Sequence, residues 1–411
     1  MREILFLCHR IPFPPDRGDK IRSHHILKRL ARFAQVHVAT FADDDFDMTE
    51  EAELAALAST YKLVRRSKPL LLAGLQSLAA RQPVSLSAFR DRSMAAYVEN
   101  LLSKRRISTI YVFSGQMGQY VPESFGGRVI ADFVDVDSAK FKAYAAKGSG
   151  LMNWVNAREG ELLGAEEIRL AARADVSLFV ARTEAELFLS CLPSAMRGKV
   201  DVRVLPNGID SFNFDPVLVG PETRMLDCPG PRLIFTGQMD YAPNVDAAMR
   251  VIDRILPLIR QNLPDATFHV VGRNPEQELL DRHGRDGCFV WGRVNDVRPW
   301  LKAADLCIVP LEIARGVQNK VLEAMSMALP VVLTGEAATG IDAIDGQHFR
   351  IADSNDGLSA VACDLLTNVR RARVLGGAAR RFVSENVSWQ MALASLPDLV
   401  GCRGRAALDA A

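Results

Sequence analysis

Two residues of opposite charge, Lys320 and Glu323, lie three positions apart in a segment that reads as strand, loop, helix and strand. The apolar run 306–309 predicts a strand buried on both faces, and Gly316 punctuates the loop that follows it. A helix that begins after such a strand offers free N–H groups to an anion. The lysine then suits a phosphate and the glutamate suits sugar hydroxyls. The alternative is an ordinary surface ion pair at i,i+3 spacing.

The composition limits the class of protein. The chain has 411 residues, of which 48% are hydrophobic and 24% charged, and its formal net charge is +1. Such a balance creates no field that attracts nucleic acid, so we predict no nucleic-acid partner. The seven cysteines are scattered without a C-x-x-C pair, which argues against a disulfide scaffold or a zinc site. No signal peptide is evident and the longest apolar window, 69–80, is too short to span a membrane, so the predicted location is cytoplasmic.

The two halves of the chain repeat one plan, in which a buried strand, a loop with glycine, a helix and another strand follow each other. This alternation predicts a doubly wound α/β domain in each half. The stretch after the turn 206–210 is rich in Pro and Gly and predicts an interdomain linker. A charged segment, 138–173, reads as one long helix. The predicted boundaries are an N-terminal Rossmann-like domain at 1–212, a linker at 213–231, a C-terminal Rossmann-like domain at 232–380 and a C-terminal helix at 381–411.

Polar residues at strand ends of the N-terminal half are candidates for the acceptor side of a site. They are His9, Gly18, Asp19, Lys20, Asp135 and Asp137. Gly18 would let the backbone approach a ligand closely. The alternatives are a satisfied structural histidine at His9, and helix capping before Ser138 by the two later aspartates. The first loop lacks G-x-G-x-x-G and an acidic ribose partner, which argues against a nicotinamide or flavin cofactor.

The segment 62–106 differs in charge from the rest of the chain. It holds ten lysines and arginines against Asp91 and Glu99, and leucines are interleaved with the first of them. A basic, leucine-rich segment can lie on an anionic membrane surface. The alternative is an ordinary helical layer with solvated arginines.

Several blocks resemble known glycosyltransferases. Pro206-Asn-Gly-Ile-Asp210 resembles the P-N-G-[VI]-D signature of glycosyltransferase family 4, and Gly316 to Met325 with Pro330-Val-Val332 resembles that family's donor-site helix. The chain is also similar to the sugar transferases associated with PEP-CTERM/exosortase exopolysaccharide systems. The blocks that carry this likeness are His9-Arg-Ile-Pro with Gly18-Asp-Lys-Ile-Arg22, Asp132 to Ser138, and Phe235 to Asn244. The resemblance implies a GT-B fold, with two Rossmann-like domains, a donor/acceptor cleft between them and a C-terminal helix that crosses back to the first domain.

The resemblance also implies a nucleotide-sugar site in the second domain. Glu323 matches the second glutamate of the family's E-x7-E element, which holds the donor ribose, whereas Arg315 replaces the first, sugar-contacting glutamate. Gln238 replaces a diphosphate-binding arginine and the usual lysine is missing near Asn244, so Lys320 and Arg315, with Arg273, are the cationic substitutes. The predicted donor-binding residues are Gly237, Gln238, Gly272, Arg273, Gly316, Val317, Asn319, Lys320 and Glu323.

The implied activity is that of a hexosyltransferase using a UDP- or GDP-sugar and a lipid-linked or polysaccharide acceptor, with retention, in exopolysaccharide biosynthesis. No cofactor or metal is expected. Lys320 and Arg315 would stabilise the leaving diphosphate, and Asp19 and Asp135 are the acceptor-side catalytic candidates. The membrane interpretation of 62–106 would make the protein peripheral on the cytoplasmic face of the inner membrane. Two alternatives stay open, a GT-B-fold UDP-sugar epimerase and a catalytically silent GT-B scaffold of a polysaccharide assembly complex.

Overall fold

A computed structural model describes residues 2–15, 17–147, 150–314 and 317–402 and divides the chain into two compact units. The first unit contains the chain up to Asn207 together with the residues from Ala392 onward. The second unit contains Gly208–Met391. Each unit is an α/β domain around one parallel sheet.

The first unit is built on a seven-stranded parallel sheet in the order β3-β2-β1-β4-β5-β6-β7. Residues Ile4 to Cys8 of the central strand have no exposed surface, as expected of a strand with a neighbour on each side and helices on both faces. The sheet changes direction between β1 and β4, so loops at their carboxyl ends diverge and leave a crevice there. The strands are β1 (Glu3–Cys8), β2 (Gln35–Ala42), β3 (Thr60–Arg65), β4 (Ile107–Phe113), β5 (Arg128–Val134), β6 (Val176–Phe179) and β7 (Val202–Val204).

Helices cover both faces of this sheet. Most of them alternate with the strands, and a 3-10 helix at Gly115–Tyr120 follows β4. The α-helices up to the end of β7 are α1 (Gly18–Ala31), α2 (Asp45–Thr49), α3 (Glu51–Leu57), α4 (Leu70–Ala80), α5 (Val84–Ala88), α6 (Arg92–Lys104), α7 (Asp137–Lys147), α8 (Gly150–Arg173) and α9 (Arg182–Cys191).

The second unit is built on a six-stranded parallel sheet in the order β10-β9-β8-β11-β12-β13. The order changes direction between β8 and β11, as it does between β1 and β4 in the first unit. The strands are β8 (Arg232–Thr236), β9 (Thr267–Val271), β10 (Cys288–Gly292), β11 (Leu306–Val309), β12 (Val331–Leu333) and β13 (Arg350–Ile351). The helices are α10 (Thr223–Leu226), α11 (Ala242–Arg250), α12 (Leu256–Asn262), α13 (Gln277–Leu280), α14 (Arg298–Ala303), α15 (Asn319–Ser326), α16 (Gly335–Ala338), α17 (Asn355–Thr367) and α18 (Val369–Phe382).

Two π-helical turns and two short helices complete the chain. The turn Val251–Ile255 joins α11 to α12, and Val383–Val387 follows α18. The last helices are α19 (Trp389–Ala392) and α20 (Leu396–Leu399). The chain returns to the first unit at Ala392 rather than at 381, because α18 packs on α15 as part of the second unit.

Gly208, in the turn 206–210, is required because this turn packs directly against the backbone at Trp389. A Cβ on Gly208 would lie 2.4 Å from the backbone nitrogen of Trp389. The two segments are joined by backbone hydrogen bonds from Ile209 N to Val387 O (2.8 Å) and from Trp389 N to Ile209 O (3.2 Å). The turn therefore fixes the start of the second unit against its end.

The predicted linker, 213–231, lies inside the second unit. Met225 within it is fully buried, and Arg380 of α18 donates to the carbonyl of Phe214 (3.0 Å). The high proline and glycine content explains why this segment forms little regular secondary structure. It does not make the segment a free linker, because irregular backbone can pack against a domain as a helix does.

The predicted helix 138–173 is two helices, α7 and α8, which pack on each other. A Cβ on Gly160 would lie 3.1 Å from both Lys142 N and Ser138 O, so the glycine allows a close crossing. Gly150 at the start of α8 has φ +72°, a conformation that glycine adopts without strain. Two strands that were not predicted, β3 and β13, lie at sheet edges and carry charged, half-exposed residues instead of a buried apolar run.

The basic segment 62–106 does not form one surface. It contains β3, α4, α5 and α6, and two of its arginines are paired, Arg65 with Asp45 (2.6 Å) and Arg66 with Asp43 (3.0 Å). Within the described ranges, no helix has both the length and the apolar character needed to cross a bilayer.

Candidate functional site

The second unit gathers three loops where its sheet changes direction. The loops follow β8, β9 and β11, and the third leads into α15. A Cβ on Gly272 would lie 1.6 Å from the carbonyl oxygen of Gly237, so only glycine lets the first two loops meet. A Cβ on Gly237 would lie 3.0 Å from Asn244 Nδ2 and 3.1 Å from Lys320 Nζ. The predicted glycines thus leave room for an ammonium group.

Lys320, in the first turn of α15, carries that ammonium. Its Nζ donates to Asn244 Oδ1 and lies 4.5 Å from the centre of the Phe235 ring. Asn244 is itself held by a bond from its Nδ2 to the carbonyl of Gln238 (2.9 Å). Burial lowers the pKa of Lys320 to about 8. An ammonium has three donors, so the described contacts leave capacity for an anion.

Glu323 lies one turn further along α15. Burial raises the pKa of its carboxyl group to about 7, although the charge of Lys320 opposes that shift. Within the described part of the chain, no hydrogen bond reaches this carboxylate. Lys320 and Glu323 are therefore half-buried groups whose pKa values are shifted by burial towards neutral pH, unlike the solvated surface pair that was the alternative.

The predicted pair Gln238 and Arg273 is brought together at the rim of this site. Arg273 Nη2 donates to Gln238 Oε1 (2.9 Å) in an exposed contact. Val317 is 44% exposed and lies beside Gly340, where a Cβ would be 3.1 Å from its Cγ2. Asn319 is exposed as the first residue of α15.

Two predicted residues, Arg315 and Gly316, lie outside the described residues. The structure therefore leaves the role of the arginine as a prediction. Two contributors were missed from sequence, Asn244 as the partner of Lys320 and Phe235 as the ring beneath it. Asn244 had been noted only as the place of a missing lysine.

The first unit has a cavity of about 570 Å³ at the equivalent position, where the ends of β1, β4 and β5 meet. Four predicted acceptor-side residues line it: His9, Asp19, Asp135 and Asp137. Sequence reasoning missed most of the other lining residues, since they come from distant elements. Those with polar or aromatic side chains are Arg10, Arg66, Ser85, Phe89, Phe113, Ser114, Gln116, Phe133, Lys140, Phe141 and Glu159.

His9 and Asp19 form one cluster with two arginines. His9 Nε2 lies 3.2 Å from Asp19 Oδ2, which also accepts from Arg10 Nη1 (2.8 Å), while Arg17 Nε lies 2.7 Å from Oδ1. Burial opposes ionisation of Asp19, but its contact with His9 and the arginine charges hold its pKa well below the usual range. Burial lowers the pKa of His9, so its ring is neutral. Its Nδ1 is buried and has no partner within the described residues.

Asp135 and Asp137 have different surroundings. Burial raises the pKa of Asp135, and within the described residues no hydrogen bond reaches its carboxylate. Asp137, in the first turn of α7, accepts from Lys140 Nζ (3.1 Å). The capping alternative fails for Ser138, whose N–H and hydroxyl both bond to Glu167, at 3.0 and 2.6 Å.

Two predicted acceptor-side residues are not at the cavity. Lys20 is buried, where its Nζ pairs with Asp47 and donates to the carbonyl of Phe13 (3.1 Å). It therefore ties α1 to α2 and to the loop after β1. Gly18 starts α1 with open space where a Cβ would lie, so no close approach requires a glycine there.

No group of three or more His, Cys, Asp or Glu within the described ranges is placed to hold a metal ion. Arg273 lies in the loop that follows β9, and Lys320 lies in the first turn of α15, after the loop that follows β11. The chemistry available there is the binding of an anion by an ammonium group, with a carboxylate one helical turn away.

Comparison with known proteins places these features in a class. Residues 230–368, roughly a third of the chain, match the family model described as glycosyl transferases group 1. This match contains all the described donor-site residues. Over 422 aligned residues the chain is 24% identical to the GDP-mannose-dependent alpha-(1-6)-phosphatidylinositol monomannoside mannosyltransferase of Mycolicibacterium smegmatis, covering 96% of this chain and 97% of the relative.

Solved structures share the fold over the whole chain. The HepE protein of Anabaena, crystallised with UDP and glucose, superposes with a TM-score of 0.60 at 14% identity and covers 97% of this chain and 99% of its own. WaaG, a glycosyltransferase involved in lipopolysaccharide biosynthesis, gives a TM-score of 0.61 at 17% identity and covers 97% and 100%. The predicted GT-B fold is confirmed. The predicted enzyme class is confirmed as well: the protein is a glycosyltransferase.

Proposed function

We propose that this protein transfers a sugar, with retention of configuration, from a nucleotide-diphosphate donor to a lipid-linked or polysaccharide acceptor in exopolysaccharide biosynthesis. The motif resemblance to glycosyltransferase family 4 and to the PEP-CTERM-associated transferases supports the finer assignment. The observation that carries the proposal is the placement of Lys320 and Glu323, half-buried and one helical turn apart, at the point where the second sheet changes direction.

In the proposed mechanism the second unit binds the donor. Lys320 contacts the diphosphate and stabilises the charge that develops as the glycosidic bond breaks. Glu323, when ionised, accepts hydrogen bonds from the ribose hydroxyls. Arg273 at the rim supplies a further cation, and Arg315 is the proposed replacement for the sugar-contacting glutamate. No metal is needed because these cations serve the leaving group.

The first unit would bind the acceptor in its 570 Å³ cavity. Asp135 would accept a hydrogen bond from an acceptor hydroxyl, and neutral His9 would orient another through its unpartnered Nδ1. Asp19 then acts as a positioning residue, since it is held ionised by His9 and the arginines. Retention fits this division because the main requirement is stabilisation of the leaving diphosphate, more than a strong base.

The relatives offer two nucleotides. The mycobacterial enzyme is named for GDP-mannose, and the Anabaena protein was crystallised with UDP. The full-length sequence similarity favours a GDP-sugar as the first donor to test. We place the reaction in the cytoplasm, at the cytoplasmic face of the inner membrane.

A thermal-shift series with UDP, GDP and ADP tests the donor site. A nucleotide at a hundredfold its Kd stabilises the folded unit by about 2.7 kcal/mol. Glu323→Ala should lower the affinity for the nucleotide. Glu336→Ala, which removes an exposed glutamate of α16, should leave that affinity unchanged. If Glu323→Ala binds within about 1 kcal/mol of the wild type, comparable to one hydrogen bond, the proposed donor site is wrong.

Transfer of a radiolabelled sugar from a donor panel to membrane extract tests the reaction. Label in a lipid or polysaccharide fraction supports the proposal. Interconversion of free nucleotide-sugars would indicate the epimerase instead. No turnover by a protein that still binds nucleotide would indicate the silent scaffold.

A further inference from the structure

The helix α4 presents its large apolar residues to solvent, whereas a helix that packs on a core buries them. Its outward side presents Leu71, Leu72, Leu75 and Leu78, which are 85%, 45%, 66% and 52% exposed. We call these four residues the leucine face. Its inward side consists of small residues, with Ala73 and Ser77 fully buried. Water-exposed apolar patches of this kind mark surfaces that are covered in use.

The start of α8 carries further exposed apolar residues. Met152 and Trp154 are 66% and 55% exposed. Arg158, one turn after Trp154, donates to Ser77 Oγ and Ser77 O, both at 3.0 Å, and so ties α8 to the end of α4. Tryptophan and leucine on one surface are typical of helices that lie in a membrane interface.

The two sequence segments that carry this surface contain cations and no acidic residue. Residues 67–90 contain Lys68, Arg81 and Arg90 and no Asp or Glu. Residues 138–158 contain four more cations, three lysines and Arg158, again with no acidic residue. A cationic rim around an apolar face complements an anionic lipid surface, whereas it would repel a second copy of itself.

The surface adjoins the proposed acceptor cavity. Val84 and Ser85, just after α4, line the cavity, as do Val155 and Glu159 of α8. Glu159 accepts from the backbone N–H of both Val84 (2.7 Å) and Ser85 (2.9 Å), so the cavity wall and the leucine face are held as one body. A lipid that lies along α4 would have its head group beside the cavity.

We propose that the leucine face and the start of α8 dock on an anionic lipid bilayer, so that a lipid-linked acceptor enters the cavity directly from the membrane. The helix has eleven residues, too few to span a bilayer, and therefore lies in the interface plane. The docking surface is narrower than the segment 62–106, since β3, α5 and α6 pack into the first unit. The delivery of the acceptor rests on the proposed function, while the docking itself does not.

Flotation of the full-length protein with lipid vesicles tests the docking. The wild type should bind vesicles of phosphatidylcholine mixed with phosphatidylglycerol and bind phosphatidylcholine alone more weakly. The variant Leu71→Gln/Leu75→Gln/Leu78→Gln should lose at least tenfold in partitioning. The matched control is Val217→Gln/Leu218→Gln, which changes two exposed apolar residues of the second unit (87% and 61%) and should bind as the wild type does.

Three further readouts separate the outcomes. Brominated lipids should quench the fluorescence of the wild type, and Trp154→Phe should remove that quenching. Arg81→Gln should weaken binding to the anionic vesicles only. Nucleotide thermal shifts of the leucine variant should equal those of the wild type, which shows that the second unit is intact.

The proposal is overturned if the wild type floats with no vesicle, or if the leucine variant floats as well as the wild type. It is also overturned if the leucine variant converts a dimer into a monomer without any change in flotation, because a second copy would then cover the face. Sugar transfer to a soluble acceptor by a protein that does not bind vesicles would overturn the docking and leave the proposed function standing. Vesicle binding without any sugar transfer would support the docking and contradict the proposed function.

Discussion

The two units present their charges differently at equivalent places. Both sheets change direction beside the first strand of the unit, and in both the loops at that point carry charged side chains. In the first unit Arg10, Asp19 and Asp43 are linked, with Arg10 Nε 2.6 Å from Asp43 and Arg10 Nη1 2.8 Å from Asp19. In the second unit Lys320 and Glu323 are desolvated and have no ion-pair partner within the described contacts, and their pKa values move to about 8 and about 7.

The difference suggests two uses of charge. Paired groups satisfy each other and shape a cavity, as expected where a neutral sugar acceptor must be positioned. Desolvated and unpaired groups are costly when the site is empty, and a ligand that pairs with them relieves that cost. Opposite charges without an ion-pair partner therefore favour the second unit as the place where a charged ligand would bind.

The most buried pair of the first unit offers the largest test of this contrast. Arg22 and Asp132 have almost no exposed surface, with Nη2 to Oδ1 at 3.1 Å, and Tyr111 donates to Asp132 Oδ2 (2.8 Å). Arg22→Met leaves a buried carboxylate uncompensated and should destabilise the unit by about 3–5 kcal/mol. Hydrogen exchange of the β5 amides measures this locally.

The double variant Arg22→Met/Asp132→Leu is the control, because removing both charges should recover part of the loss. A single variant with wild-type exchange rates in β5 would show that paired charges do not stabilise the first unit.

Removal of Lys320 should have the next largest effect, and on catalysis rather than stability. Lys320→Ala deletes the ammonium that we propose contacts the leaving diphosphate and should lower kcat by about 10²–10³-fold. Because the lysine is desolvated in the free protein, stability should not fall. Lys302→Ala, at an exposed lysine of α14, is the matched control. A wild-type kcat for Lys320→Ala would show that this desolvated lysine of the second unit has no role in catalysis.

The pH dependence of donor capture gives a third test. In the proposed site, donor binding needs Glu323 ionised and Lys320 protonated, so kcat/KM should rise through about pH 7 and fall through about pH 8. Each limb should change about tenfold per pH unit far from the maximum. Glu323→Gln should remove the acidic limb and leave the basic limb in place. An acidic limb that survives this substitution would belong to another group.

The same groups have opposite effects on stability. The folded-state pKa of Glu323 is raised from 4.5 to about 7, so its contribution is present below pH 4.5 and is lost as pH rises to 7. The pKa of Lys320 is lowered from 10.5 to about 8, so its contribution is present above pH 10.5 and is lost as pH falls to 8. The ligand-free second unit is thus least stabilised by these two groups between about pH 7 and about pH 8, the range in which the donor should bind best.

The sequence was informative wherever a local pattern decides the structure. Buried apolar runs predicted β1 and β11, and the i,i+3 spacing of Lys320 and Glu323 placed them on one side of α15. Tertiary contacts were not predictable in the same way. Lys20 and Gly18 were assigned to the acceptor side because they follow β1. Lys20 is instead buried in an ion pair with Asp47, 27 residues away in sequence, and Gly18 does not line the cavity.

Partners of the site residues were equally hidden. Asn244 meets Lys320 across 76 residues of sequence, and Glu159 reaches the N-terminus of α5 across 75. Neither contact leaves a periodic or motif signal in the chain. What could be predicted was the loops that converge where the sheet changes direction, since topology alone brings strand ends together.

Glycines in the first loop of each unit provide the smallest and sharpest test. Gly18→Ala adds a methyl group in open space at the start of α1 and should change nothing measurable. Gly237→Ala adds a methyl group 3.0 Å from Asn244 Nδ2 and 3.1 Å from Lys320 Nζ, so the ammonium must move by a few tenths of an ångström. Overpacking of this order costs about 1 kcal/mol, equivalent to roughly fivefold weaker donor binding.

Isothermal titration with the nucleotide identified by thermal shift measures both variants. The ratio of the two effects matters more than either value, because both add one methyl group to a loop after the first strand of a parallel sheet. If Gly18→Ala weakens donor binding as much as Gly237→Ala does, the loops of the two units are not specialised as their charges indicate. If only Gly237→Ala acts, the first loop of the second unit is the specialised one, as its charges indicate.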